Sequence, residues 1–127
     1  MTDKIKVLLV EDDLMIIKMY ERKFDMENFK LTIALNGKEA MKILKKDCPN
    51  IVLLDIMMPK MNGLEVLKEI KADSLLRDIP VVMLTNLGDR SEDVEKCKEL
   101  GAEDYWVKAN TSLEEILQGI KNILSKK

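Results

Sequence analysis

Residues 51 to 63 read Ile51-Val52-Leu53-Leu54-Asp55-Ile56-Met57-Met58-Pro59-Lys60-Met61-Asn62-Gly63. Four consecutive apolar residues suit a strand covered on both faces, and such strands belong to parallel sheets flanked by helices. The run stops at a carboxylate, Asp55, passes through a loop, and from Gly63 onward Leu64, Leu67 and Ile70 return at helical spacing. The unit is therefore strand, acidic end, loop, helix.

The same unit recurs on both sides. Ile5 to Val10 is apolar and ends in Glu11-Asp12-Asp13, after which Leu14, Ile16, Ile17, Tyr20 and Phe24 step along a helix, with Asp13 reading as its cap. Leu31 to Leu35 alternates like a half-exposed edge strand, and Asn36-Gly37 opens a helix carrying Ala40, Ile43 and Leu44. Val81 to Leu84 is a buried strand ending at Thr85. A weaker helix with Val94, Cys97 and Leu100 follows and stops at Gly101. Tyr105 to Val107 is a short strand ending at Lys108, and Ser112 caps a strongly amphipathic last helix whose face is Leu113, Ile116, Leu117, Ile120, Ile123 and Leu124. Five strand-helix units in alternation predict an α/β fold, a single doubly wound parallel sheet with helices on both faces. Right-handed crossovers then bring the carboxyl ends of all five strands to one rim.

Composition sets the outer bounds. The 127 residues make one domain, 46% hydrophobic and 35% charged, with 21 basic against 23 acidic side chains and a net charge of -2. That balance argues against direct nucleic-acid binding, whose affinity comes from neutralised phosphates. No apolar run approaches the roughly 20 residues of a spanning helix, and the N-terminus carries no apolar leader, so the expectation is a cytoplasmic protein without membrane attachment. Histidine is absent and only Cys48 and Cys97 are present, which excludes Cys/His zinc patterns and a His-based triad. Both cysteines are expected reduced.

The strand ends bring Glu11, Asp12, Asp55, Thr85 and Lys108 to the same rim. Three carboxylates with so little positive charge repel one another unless a cation joins them, and all-oxygen ligation favours Mg²⁺. The same repulsion should raise at least one carboxylate pKa without metal. Phosphoryl transfer uses an oxygen nucleophile, a metal, a lysine and hydroxyl donors, all of which are represented. Singly, each residue has a plainer reading: Thr85 as a strand-end hydroxyl, Lys108 as a snorkelling lysine. Met57, Met58 and Met61 read as gap fillers or as an adaptable contact surface. Their joint placement carries the functional reading.

Val10-Glu11-Asp12-Asp13, Leu54 to Gly63, Met83-Leu84-Thr85-Asn86, Gly101 to Tyr105 and Val107-Lys108 together resemble the receiver domain of two-component response regulators, of the stand-alone chemotaxis type, over the whole chain. The resemblance implies a flavodoxin-like sheet of order 2-1-3-4-5 and one receiver domain, residues 1–127, without an output domain. It implies Asp55 as phosphoacceptor, Asp12 as a direct Mg²⁺ ligand, Glu11 as a ligand through water and Met57 as a backbone-carbonyl ligand. Thr85 and Lys108 would hold phosphoryl oxygens, Tyr105 would be the switch aromatic paired with Thr85, and Pro59 and Gly63 would shape the loop. The partners implied are a histidine kinase or histidine phosphotransfer protein and an output protein, bound at the face of the fourth helix, fifth strand and last helix. On that face Tyr105 and Trp106 should point to opposite sides of the sheet.

The sequence departs from the family pattern in Glu11 as first acid, in Asn86 after the switch threonine, and in Ala109 where the family has a proline with a cis peptide. Without proline the Lys108-Ala109 bond is expected trans. Apolar Met57 and Leu87 flank the approach of water to Asp55 and predict a long-lived aspartyl phosphate. The leading reading is a phosphorylation switch rather than an enzyme. One alternative is a Mg²⁺-dependent phosphatase, which would want a second acid where Met57 stands. The other is a receiver-like module that is never phosphorylated and acts by binding alone.

Overall fold

The computed structural model describes residues 4–56, 62–85 and 91–126. Five strands, β1 (Ile5–Val10), β2 (Phe29–Ala34), β3 (Ile51–Asp55), β4 (Val81–Thr85) and β5 (Asp104–Val107), form one parallel sheet in the order β2-β1-β3-β4-β5. Helices α1 (Leu14–Asp25), α2 (Gly37–Lys46), α3 (Gly63–Ala72), α4 (Ser91–Glu99) and α5 (Leu113–Ser125) alternate with them. The sheet order and the alternation are those expected.

Strand alternation sorts the core into two layers. Leu8, Val10, Val52, Leu54, Val81 and Met83 face Ala40 and Leu44 of α2, Val66, Leu67 and Ile70 of α3, and Cys97 of α4. Val7, Leu9, Ile51, Leu53, Val82 and Leu84 face Tyr20 and Phe24 of α1 and Ile116, Leu117, Ile120 and Ile123 of α5. A one-residue slip of any central strand would exchange the two sets, so burial on both faces fixes the register. Tyr105 packs with the first layer and Trp106 with the second, on opposite sides as predicted.

Local chemistry sets the helix starts. Asp13 Oδ1 accepts from the N–H of Met15 at 2.9 Å, Asn36 Oδ1 from Glu39 at 3.0 Å and Asn62 Oδ1 from Glu65 at 3.0 Å. Ser112 and Glu115 form a reciprocal capping box on α5. Gly101, at φ 97°, follows α4 in the left-handed conformation that glycine adopts without a Cβ clash.

Three expectations need adjusting. β2 covers 29–34 rather than 31–35, because Phe29 pairs with Ile5 and packs on Phe24 at 5.1 Å between centroids, while Leu35 turns out to solvent. Leu14 shares the helical spacing of the α1 core residues, yet is exposed. A short 3₁₀ turn η1 (Lys108–Asn110), absent from the sequence reading, separates β5 from α5. The Lys108-Ala109 peptide is trans, as are the others among the described residues.

Candidate phosphoacceptor and metal site

Parallel register places the strand ends side by side. Val10 pairs with Leu54, Asp55 with Leu84, and Thr85 with Val107, so Glu11, Asp55, Thr85 and Lys108 lie along one rim. Glu11 still follows the ladder, its N–H donating to the Ala34 carbonyl at 2.9 Å.

Glu11 is 1% exposed, Asp55 7% and Thr85 0%, far more buried than carboxylates and hydroxyls at strand ends usually are. Carboxylate oxygens of Glu11, Asp12 and Asp55 all lie within 4.8 Å of one another. Lys108 Nζ enters between two of them, donating to Asp55 Oδ2 at 3.0 Å and to Glu11 Oε1. The other Glu11 oxygen, Oε2, accepts from the Asp13 N–H at 3.1 Å, so both ends of that carboxylate are held. Asp12 is exposed and stands at the mouth.

Three negative charges against one positive leave an excess that a divalent cation would neutralise. The all-oxygen donor set suits a hard ion. Burial pushes the Glu11 carboxyl above its ordinary value, and pairing with Lys108 offsets this only in part. A raised carboxylate was expected here, but burial is its main cause and the charge of Asp55 its smallest. Burial alone would lower the Lys108 ammonium; the hydrogen bond to Glu11 and the charge of Asp55 reverse that and hold it above the ordinary lysine value. Beneath the cluster, burial pushes the Tyr20 phenol up as well, with Glu11 and Asp55 adding to the shift.

The start of α3 lies against Asp55. Gly63 N–H donates to the Ile56 carbonyl at 2.9 Å, and a Cβ at Gly63 would stand 2.3 Å from the Asp55 carbonyl oxygen. Only glycine lets α3 begin so close to the backbone of Asp55.

A family model for the response regulator receiver domain matches residues 7–121. The chain belongs to the response regulator receiver family. A probable transcriptional regulator, ycf27 of Guillardia theta, is 43% identical over 105 residues, 83% of this chain and 40% of that protein. The chain thus spans about two fifths of that relative's length. Among solved structures, the phosphorylated cyanobacterial phytochrome response regulator RcpA is 30% identical with a TM-score of 0.81, over 94% of this chain and 91% of that one. The Mn²⁺-bound form of response regulator Rcp1 is 32% identical with a TM-score of 0.78, over the same shares of the two chains.

Of the residues expected at the site, Glu11, Asp12, Asp55 and Lys108 converge directly. Thr85 closes the neighbouring strand and Tyr105 is half-buried against the α2–α4 layer. Met57, Met58, Pro59, Met61, Asn86 and Leu87 lie outside the described residues. Cys48 is exposed and Cys97 buried, and neither is in a disulfide. Among the described residues, no helix is long and apolar enough to cross a membrane.

Sequence reasoning missed one feature near the site. Met15, Met19 and Met26 form an exposed apolar stripe along α1 and its C-cap, with Lys18, Arg22 and Lys23 beside Met19 and Met26. Met15, Met19 and Met26 stand at i, i+4 and i+11, a helical spacing legible beforehand but masked by the stronger buried face of Ile17, Tyr20 and Phe24.

Proposed function

We propose that the domain is a phosphorylation switch in which Asp55 accepts a phosphoryl group from a phosphohistidine of a partner kinase or phosphotransfer protein. An Asp55 carboxylate oxygen attacks the phosphorus in line, the P–N bond breaks, and the imidazole leaves with its electron pair. The observation that carries this is the buried Asp55 carboxylate held at 3.0 Å by Lys108, in one cluster with two further acids. Lys108 neutralises equatorial phosphoryl charge and Thr85 supplies a hydroxyl donor. Glu11, Asp12 and Asp55 would hold Mg²⁺, which when bound offsets charge on the transferring group.

The exposed α1 stripe adjoins the mouth of the site, since Asp12 and Asp13 lead directly into that helix. An apolar ridge beside Lys18 and Arg22 suits a phosphodonor partner that offers an apolar surface flanked by acids, Lys23 being already paired with Glu114 at 2.7 Å. Edge strand β5, with Tyr105 towards α4 and Trp106 towards α5, supports the α4–β5–α5 surface as the output side. On this reading the domain is a cytoplasmic signalling part and not an enzyme with turnover.

Intact mass after incubation with acetyl phosphate and Mg²⁺ tests the assignment. A gain of one phosphoryl group in the parent and none in Asp55→Asn is expected. No gain, or an equal gain in Asp55→Asn, would sink it in favour of a module that acts by binding alone.

A further inference from the structure

Lys108 carries the contacts that matter at the acid cluster, yet its backbone sits at a weak place in the fold. The β5 ladder ends at the Thr85–Val107 pair, and η1, which starts at Lys108, is three residues long. Ala109 follows Lys108, so no ring constrains the next φ. The position of Nζ between Glu11 and Asp55 must therefore be held from outside the ladder.

Two residues do this, Trp106 and Thr111. Before Lys108, the Trp106 indole lies on the α5 backbone at Gly119, where a Cβ would come within 2.6 Å of both Cη2 and Cζ2. Glycine in the middle of a 13-residue helix weakens that helix, and its use here leaves room for the ring. After Lys108, Thr111 Oγ1 donates to the Val107 carbonyl at 2.9 Å and its N–H donates to the Lys108 carbonyl. Both peptide units flanking the Lys108 Cα are thus tied to Thr111, through the Val107 and Lys108 carbonyls, while the strand leading into them is seated on α5 through Trp106.

We infer that Trp106, seated in the Gly119 notch, and Thr111 are positioning residues that aim the Lys108 ammonium at the acceptor carboxylate. The inference rests on the reading of Asp55 as phosphoacceptor. Misplacement of a reacting group by about 1 Å can cost on the order of a hundredfold in rate, so small losses of this hold should be visible.

The test follows initial rates of phosphoryl uptake from acetyl phosphate with saturating Mg²⁺, by intact mass, across donor concentrations. Thr111→Val, Thr111→Ser and Gly119→Ala are made in the parent and in Lys108→Met, after thermal melts show that each is folded. Lys108→Met should slow the saturating rate about a hundredfold, as loss of one aimed charge donor does. Thr111→Val should slow it about fivefold, the equivalent of one hydrogen bond, with Thr111→Ser restoring it. Gly119→Ala should slow it similarly by displacing the indole. In Lys108→Met none of the three should have any further effect, because the group they aim is gone. An equal loss in both backgrounds, or no rescue by serine, would overturn the inference while leaving Asp55 as acceptor. If Gly119→Ala fails to fold, the two Thr111 variants decide alone. Absence of uptake in the parent would remove the functional reading itself, and this inference with it.

Discussion

At the scale of single residues, Gly63 and Gly119 show how a side chain's absence shapes the site. A Cβ at Gly63 would meet backbone, the Asp55 carbonyl at 2.3 Å and Ile56 Cα at 2.8 Å, which can move only by shifting the end of β3. A Cβ at Gly119 would meet the edge of one half-buried ring, which can turn outward. Gly119→Ala also recovers about 1 kcal/mol of helix preference. Gly63→Ala should therefore destabilise by about 1–3 kcal/mol or more, and Gly119→Ala by less, as measured by urea unfolding. Equal losses would mean that the backbone near Asp55 yields as easily as a side chain. The sequence pointed to Gly63 through its loop motif, whereas nothing in it pointed to Gly119, because a glycine inside an amphipathic helix carries no sign of the ring that packs on it, here Trp106 of β5. Lys108 was legible for the opposite reason. Strand-end position alone brings it to the rim, and its ion pairs follow from the charges already there.

At the scale of elements, the helix starts were readable where a cap, an apolar period or both announced them, as at Asp13, Asn36 and Ser112. β2 was misplaced by two residues because its burial comes from Phe24 and Phe29 across the sheet edge rather than from its own alternation. The α5 capping box makes a pH-dependent contribution. Glu115 is held below its ordinary value near 4.5 by the backbone N–H of Ser112 and then by its hydroxyl. A lowered folded value means the stabilisation is present above that ordinary value and is lost as pH falls through the folded one. The stability gap between parent and Glu115→Ala should accordingly shrink on acidification below about pH 4.5 in chemical denaturation. A gap independent of pH would show that the carboxylate charge plays no part. On α1, the exposed stripe makes a separate prediction. Met19→Glu should slow phosphoryl transfer from a phosphohistidine partner about tenfold, the change of roughly 1.4 kcal/mol in affinity, and leave uptake from acetyl phosphate unchanged. Slowing of both would relocate the effect to the acceptor site.

At the scale of the whole molecule, the acid cluster couples metal binding to folding, because its three carboxylates come from two strand ends far apart in sequence and meet only in the native sheet. A ligand that binds only the folded state raises unfolding free energy by RT ln(1 + [L]/Kd), about 1.4 kcal/mol at tenfold over Kd. Asp12 is the informative position, being the exposed member of a cluster whose other acids are paired with Lys108. Without metal, Asp12→Ala removes one of three crowded charges and should be neutral or slightly stabilising. With Mg²⁺, the parent should gain stability with concentration and Asp12→Ala should not, so the two curves cross. Asp13→Ala separates the metal from the helix, since Asp13 caps α1 and its loss should cost about 1 kcal/mol at every Mg²⁺ concentration while keeping the parent's slope. Urea unfolding across a Mg²⁺ series reads all three. A flat response in the parent would remove the metal from the assignment, and a lost slope in Asp13→Ala would shift it from the carboxylate cluster to the start of α1.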